Sequence, residues 1–406
     1  MGSMPVDVDI IANRLRMGCL MRAKSMRTKL MRTHKLISIG NLGGGAALAL
    51  AFAGLAAAQQ PAEAGKTAGE VYKNIQVLKD TPADQITPTM RVIARDLGVT
   101  CEFCHDERDR SKDGLKTKET ARAMMTMMRD INKNSFGGRT QVTCVTCHAG
   151  HNDPANTPTL PPFSVAMIGP GDEVKPPVLP TVDQVLDKYV QALGGEAALR
   201  KVTSMVITGT RQNYPPPGGT VPPAFPIEEY AKAPNLSVTI GQPANGVTGS
   251  GFDGTVAWTQ DGRGRVTKLD GNAVSRARRD ADFYPALDLK QQYQRLAVRG
   301  VEKIGDRDTY VLVGVPQGES RERFYFDVQS GLLLRHQTIA PSAVGNVPYA
   351  TDYDDYRDAG NGVKVPFVVH IVGPSRPDCA NILVDKVQMN AAIDNGKFAM
   401  PESKTP

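Results

Sequence analysis

Apolar positions recur at helical spacing through the first part of the chain and alternate at strand spacing through the last. Val71, Ile75 and Leu78 stand at i, i+4 and i+7, which predicts a first amphipathic helix. Thr87-Pro88 supplies an N-cap followed by proline, so a second helix is expected over 88–97, with Met90, Ile93, Ala94 and Leu97 inward and Gly98 as its stop. The charged run 106–118 reads as a solvated loop. A third helix is expected from 119 to about 132, carrying Met124, Met125, Met127 and Met128. Prolines then crowd residues 152–180, an extended connector, and 181–193 returns to helical periodicity ahead of Gly194-Gly195. From Val202 the pattern turns to strands, at 206–210, 255–258, 309–313, 323–326 and 367–372, bounded by turns such as Asp261-Gly262 and Asp270-Gly271. The expected fold is an α-helical domain followed by an α+β domain with one large curved antiparallel sheet, covered on one face by helices at 181–200 and about 276–294.

Composition changes this picture at the N-terminus. Residues 1–58 hold eight basic and two acidic residues, which accounts for the whole net charge of +6. Basic residues from Arg22 to Lys35 precede an apolar run, 36–58, ending in Ala56-Ala57-Ala58, the pattern of a secretory signal peptide cut after Ala58. The true start is then Met21, Met26 or Met31. An uncleaved membrane anchor is the alternative. With that segment removed the remainder is neutral, so nucleic-acid binding loses its compositional support. The expected division is 1–58 signal peptide, 59–165 helical domain, 166–180 proline-rich linker and 181–406 sheet domain, in a periplasmic protein.

The chemistry is concentrated in two Cys-x-x-Cys-His units, Cys101-Glu102-Phe103-Cys104-His105 and Cys144-Val145-Thr146-Cys147-His148. This spacing is that of covalent c-type haem attachment: two thiols reach the two vinyl groups of one porphyrin, and the next imidazole falls on the iron. Two c-type haems are therefore expected, with Cys101, Cys104, Cys144 and Cys147 as attachment points and His105 and His148 as axial ligands. A four-cysteine zinc site shares the cysteine spacing but does not require a histidine after each pair. Each iron needs a sixth ligand or an open face. His151 lies too close to His148 to reach the opposite side of the same porphyrin, so thioether sulfur from the preceding helices is the economical source, although methionines on a helix are more often core filler. In the second domain His336 and His370 sit in apolar strands, where a structural role outweighs a catalytic one.

The run Thr120 to Asn132, followed by Val142-Thr143-Cys144-Val145-Thr146-Cys147-His148, resembles the cytochrome c subunit of photosynthetic reaction centres over about residues 69–155. That resemblance implies haem units made of a helix, a turn and the motif, with a helix methionine as sixth ligand. By position it implies Met90 for the first haem and Met124 for the second, with Met127 and Met125 as fallbacks. The photosynthetic members carry four haems and this chain two, and a histidine that the family places before the second motif is missing from 133–141. The sheet domain resembles the half-barrels of periplasmic lipoprotein-sorting carriers, which implies a possible apolar small-molecule ligand. The expectation is an electron-transfer protein, not an enzyme, working with redox partners such as a soluble cytochrome, a membrane-bound complex or a photosynthetic reaction centre. A diheme peroxidase with one open iron and a hydrophobic-ligand carrier with an attached redox module are the alternatives.

Overall fold

The computed structural model describes residues 66–154, 178–215, 219–374 and 378–403. The expected signal peptide and nearly all of the expected linker lie outside these residues.

The helical part departs from expectation at its start. Val71, Ile75 and Leu78 do not share a helix: α1 is the single turn Ala68–Val71, after which Tyr72 is extended and Asn74 adopts φ 62°. Leu78 is nevertheless buried, packed on Ala68 and Ile86, so the apolar spacing marked a core and not a helix. The second helix, α2 (Ile86–Leu97), begins two residues early because a 3-10 turn, Ala83–Gln85, runs straight into it. Pro88 thus sits in the first turn, where the missing N–H has no intrahelical acceptor to serve. Gly98 at φ 67° closes α2 as expected. The third helix, α3 (Lys116–Phe136), is longer than expected at both ends and stops at Gly137, φ 60°. A short helix, α4 (Cys144–His148), is the second motif itself.

Helix α5 (Val182–Leu193) opens with a Thr181/Gln184 capping box and is followed by α6 (Glu196–Leu199). The sheet then has thirteen strands among the described residues. They are β1 (Ser204–Asn213), β2 (Phe225–Lys232), β3 (Leu236–Gly241), β4 (Thr248–Phe252), β5 (Ala257–Gln260) and β6 (Val266–Lys268). After α7 (Gly271–Asp280) and α8 (Pro285–Asp288) come β7 (Arg295–Ile304), β8 (Arg307–Val315), β9 (Glu322–Asp327), β10 (Leu333–Ser342), β11 (Gly345–Asp358), β12 (Lys364–Val372) and β13 (Ala380–Met389). The order is β6-β5-β4-β3-β2-β1-β13-β12-β11-β10-β9-β8-β7. The chain therefore meanders from the centre to one edge, crosses through α7 and α8 to the other edge, and meanders back until β13 pairs antiparallel with β1, Met205 opposite Met389.

The single helix expected over 276–294 is two short ones, because Asp282 to Pro285 interrupts the run; Asp282 accepts the Tyr284 N–H in a turn that proline follows. One sheet face is closed by α5, whose Val185, Leu186, Tyr189 and Leu193 pack with Phe324, Phe326, Tyr353, Val365 and Val369. Tyr189 and Phe326 are in ring contact, centroids 5.0 Å apart. Aromatic side chains thus fill this face as a core.

The helical part and the sheet are in contact. Val344 and Val347, at the β10–β11 turn, are 1% and 3% exposed because they insert among Val92 and Ile93 of α2 and Met128 of α3. Ala343 packs on the neighbouring cluster, which includes Met90 and Met125. A Cβ on Gly345 would collide with the Thr143 methyl group. Arg91 of α2 pairs with Asp378 at 2.8 Å.

Candidate haem-attachment sites

Each motif forms a tight turn that puts its two cysteines on one side. The first begins as the 3-10 turn Cys101–Phe103, with the His105 N–H donating to the Cys101 carbonyl at 3.0 Å. The second is α4, capped by Thr143 and Thr146. All four thiols are free. The two pairs do not converge: among the described residues no three His, Cys, Asp or Glu side chains gather where a metal ion would be held, as a four-cysteine zinc site demands.

Both histidines are held in the same way. His105 Nδ1 lies 3.0 Å from the Arg110 carbonyl oxygen, and His148 Nδ1 lies 3.0 Å from the His151 carbonyl oxygen. A carbonyl only accepts, so in each ring Nδ1 carries the proton and Nε2 presents its lone pair. That is the tautomer and anchorage an axial imidazole needs.

The second motif rests on α2. Gly98 passes so close to the loop after His148 that a Cβ would collide with the Gly150 carbonyl oxygen, and the Gly150 N–H donates to the Asp96 carbonyl at 2.9 Å. Asp96 is buried and paired with Arg95. Burial, assisted by the nearby Asp96 charge, pushes the Cys144 thiol up to about 11. Burial also raises Cys104, against a Thr117 hydrogen bond. Cys147 is exposed.

The methionines divide by face. Met128 is 7% exposed, in the core that receives Val344. Met90 and Met125 are half-buried and share a cluster. Met124 and Met127 are 40% and 46% exposed. Beside Met127 the open surface of α3 carries Ala123 and Ile131 together with Thr126, Asp130, Asn134 and Ser135. Val145, beside the second thiol pair, is 46% exposed as well. A flat, largely apolar group bound there would cover it. Free thiol pairs, lone pairs on both Nε2 atoms and uncovered apolar faces together fit covalently held haem.

The loop expected to be merely solvated is instead knitted around the first motif. Lys118 is 8% exposed. Its ammonium donates to the carbonyls of Arg110, Ser111 and Lys112 at 3.1, 3.2 and 2.7 Å and meets Asp113 at 3.2 Å. Asn74, with Arg122 and Lys118, holds the Asp113 carboxyl down at about 2. Asn132, also buried, does equivalent work for the second motif: its side chain donates to the Val142 carbonyl at 2.7 Å and accepts the Gln141 and Val142 N–H groups at 2.8 and 2.9 Å. Sequence reasoning missed both residues. The one available signal was a polar residue on a helix stripe otherwise facing inward.

Residues 49–166 match the family described as the photosynthetic reaction centre cytochrome C subunit. The chain is 34% identical over 108 residues to the photosynthetic reaction center cytochrome c subunit of Thermochromatium tepidum, covering 24% of this chain and 27% of that protein. It is 34% identical over 98 residues to the subunit of the same name in Roseobacter denitrificans, covering 22% and 26%. It is 32% identical over 117 residues to cytochrome c-554 of Chloroflexus aurantiacus, covering 27% and 26%. The chain thus spans about a quarter of the length of the curated relatives it matches. Among solved structures, a LolA superfamily protein from Nitrosomonas europaea aligns with 54% of this chain and 98% of its own at 13% identity and a TM-score of 0.38. A DUF1329 family protein from Desulfovibrio piger aligns with 54% and 97% at 14% identity and a TM-score of 0.39.

Proposed function

We propose that this chain is an exported diheme c-type cytochrome that passes single electrons between redox partners. Cys101 with Cys104, and Cys144 with Cys147, would attach one haem each, and His105 and His148 would hold the iron through Nε2. The observation that carries this reading is the repeated anchorage of the two histidines, each giving Nδ1–H to a backbone carbonyl and leaving Nε2 free directly after a thiol pair. The names of the relatives, reaction-centre cytochrome c subunits and a cytochrome c-554, support the same assignment. Haem supplies the one-electron chemistry, while the chain sets its orientation, potential and access.

Met90 and Met124 are the proposed sixth ligands. Met90 lies on α2, which leads into the first motif. Met124 lies on the exposed face of α3, where its sulfur is not committed to the core; Met128, enclosed by Val92, Ile93, Val344 and Val347, is. Neutral thioether ligation would favour ferrous iron, as an electron carrier requires. The partners are redox proteins on the periplasmic side, a reaction centre where the cell has one and another donor or acceptor pair where it does not. Among the described residues no helix is long and apolar enough to cross a membrane. The boundaries 1–58, 59–165, 166–180 and 181–406 remain the proposed division of the chain.

The test is to produce the chain in a host that attaches c-type haem, count covalent haems, and record optical spectra with and without cyanide. Two low-spin haems are expected, with a methionine-to-iron charge-transfer band lost stepwise in Met90→Ala and Met124→Ala. A high-spin haem that binds cyanide and turns over peroxide would replace the carrier with an enzyme.

A further inference from the structure

The two histidine anchors differ in what else touches the accepting carbonyl. Arg110 oxygen accepts His105 Nδ1–H at 3.0 Å and, at 3.1 Å, the Lys118 ammonium. His151 oxygen accepts His148 Nδ1–H, and among the described residues no lysine or arginine side chain donates to it. Lys118 belongs to the N-terminal turn of α3, and its side chain, 10% exposed, is held in place by two further carbonyls and Asp113.

We propose that Lys118 is a positioning residue that tunes the first haem site and makes it the higher in potential of the two. The inference rests on the diheme reading above. An oxygen that already accepts from an ammonium is a poorer acceptor for a second donor, so the His105 Nδ1–H bond is weaker than its geometry alone suggests. A weaker bond leaves the imidazole less anionic, and a less electron-rich axial ligand favours ferrous iron. The ammonium also places positive charge one residue-contact away from the imidazole, partly offset by the Asp113 carboxylate at 3.2 Å, and what remains favours the reduced state again. Both effects have one sign. The second motif has the same histidine anchor without the cation, so at equilibrium the first electron taken up rests at the His105 site and the second motif fills last.

The experiment is a potentiometric titration, followed optically, of the full mature chain with two haems attached, compared with Lys118→Met, Lys118→Arg and Asp113→Asn. In Lys118→Met the upper midpoint is expected to fall while the lower stays, so the two steps close up. Lys118→Arg, which keeps the charge, restores most of the separation. Asp113→Asn changes an exposed carboxylate, 46% accessible, and leaves the Lys118 bonds to the three carbonyls; it is expected to raise the upper midpoint, and it tests the idea even if Lys118→Met fails to fold. Unchanged midpoints in Lys118→Met and Asp113→Asn, or a shift confined to the lower step, would overturn the proposal with the diheme reading intact. A covalent haem count below two in the unmodified chain would overturn both.

Discussion

Replacing Val344 with alanine tests whether the sheet domain completes the core of the haem-binding helices. Val344 is 1% exposed although it sits at a strand turn, because its side chain enters a cluster formed by Val92, Ile93 and Met128. Truncation removes two methyl groups, worth about 1.6 kcal/mol at roughly 0.8 kcal/mol for each buried carbon. The unfilled space adds to this, since the surrounding Val92, Ile93, Met128 and Val347 relax only partly, and the total is about 2 to 3 kcal/mol. The loss should fall on the helices. Trp258 is the only tryptophan of the chain. It is buried in the sheet, with its indole N–H donating to the Phe398 carbonyl at 3.1 Å, so its fluorescence follows the sheet alone, while far-ultraviolet dichroism at helical wavelengths reports α2 and α3 together with α5 and α7, and the part of its loss that precedes the Trp258 transition belongs to α2 and α3. In denaturant titrations of Val344→Ala the early, helical part of the transition is expected to lose that much free energy, lowering its midpoint, and the Trp258 midpoint to move much less. A helical midpoint that stays put while the Trp258 transition falls would show that the turn serves only its own sheet.

Further predictions follow the same contacts. Gly98→Ala adds a Cβ at φ 67° that meets the Gly150 carbonyl, so the cost should exceed the ~1 kcal/mol of a left-handed alanine and the second haem should be the one lost in a haem count. Asn132→Ala leaves the Gln141 and Val142 N–H groups and the Val142 carbonyl without their partner and should cost about 2 to 3 kcal/mol, read by thermal melting; a cost under about 0.5 kcal/mol would mean that water replaces the amide. In protein made without haem attachment, iodoacetamide at pH 8 should label exposed Cys147 well before Cys144, whose thiol is pushed up to about 11; peptide mass mapping at equal rates would contradict its burial. Glu229 is buried and its carboxyl pushed up to about 8, with Oε2 unbonded among the described residues. Because the folded value lies above the unfolded one, its contribution is fully present below about pH 4.5 and is lost as pH rises through about 8. Glu229→Gln should therefore gain up to about 3 kcal/mol at pH 7 and flatten the pH dependence of stability between those limits.

What the sequence showed and what it hid divide by distance along the chain. The proposed attachment chemistry is a local pattern: five consecutive residues form each thiol pair and its histidine, so Cys101 to His105 and Cys144 to His148 stand out as candidates before any fold is known. Strands at 206–210, 309–313, 323–326 and 367–372 were legible because alternation is local as well, and they lie within β1, β8, β9 and β12. The misread first helix shows the limit of that signal, since Leu78 keeps its apolar role while Asn74 and Tyr72 take backbone angles no helix permits. Lys118 and Asn132 were overlooked for a different reason. A lysine ending a charged run, or an amide on a helix, reads as solvated until the carbonyls it serves, eight and ten residues away, are seen to fold back on it.

The contact between the helices and the sheet bears on how the haem sites are held. A unit of this size buries few apolar side chains by itself: its two clusters contain Ala68, Leu78, Ile86, Val92, Ile93 and Met128, and the remaining buried members of the second, Val344 and Val347, come from the sheet domain. Small domains are marginal for want of such burial. The turn of β10 and β11 supplies part of the deficit, and it does so at α2 and α3, the helices that carry Met90 and Met124. Gly345 against Thr143 and Arg91 against Asp378 fix the same face from two other directions. The sheet domain is accordingly a packing partner of the helices that precede the two motifs, and the core beside the second motif is completed by a strand turn two hundred residues downstream.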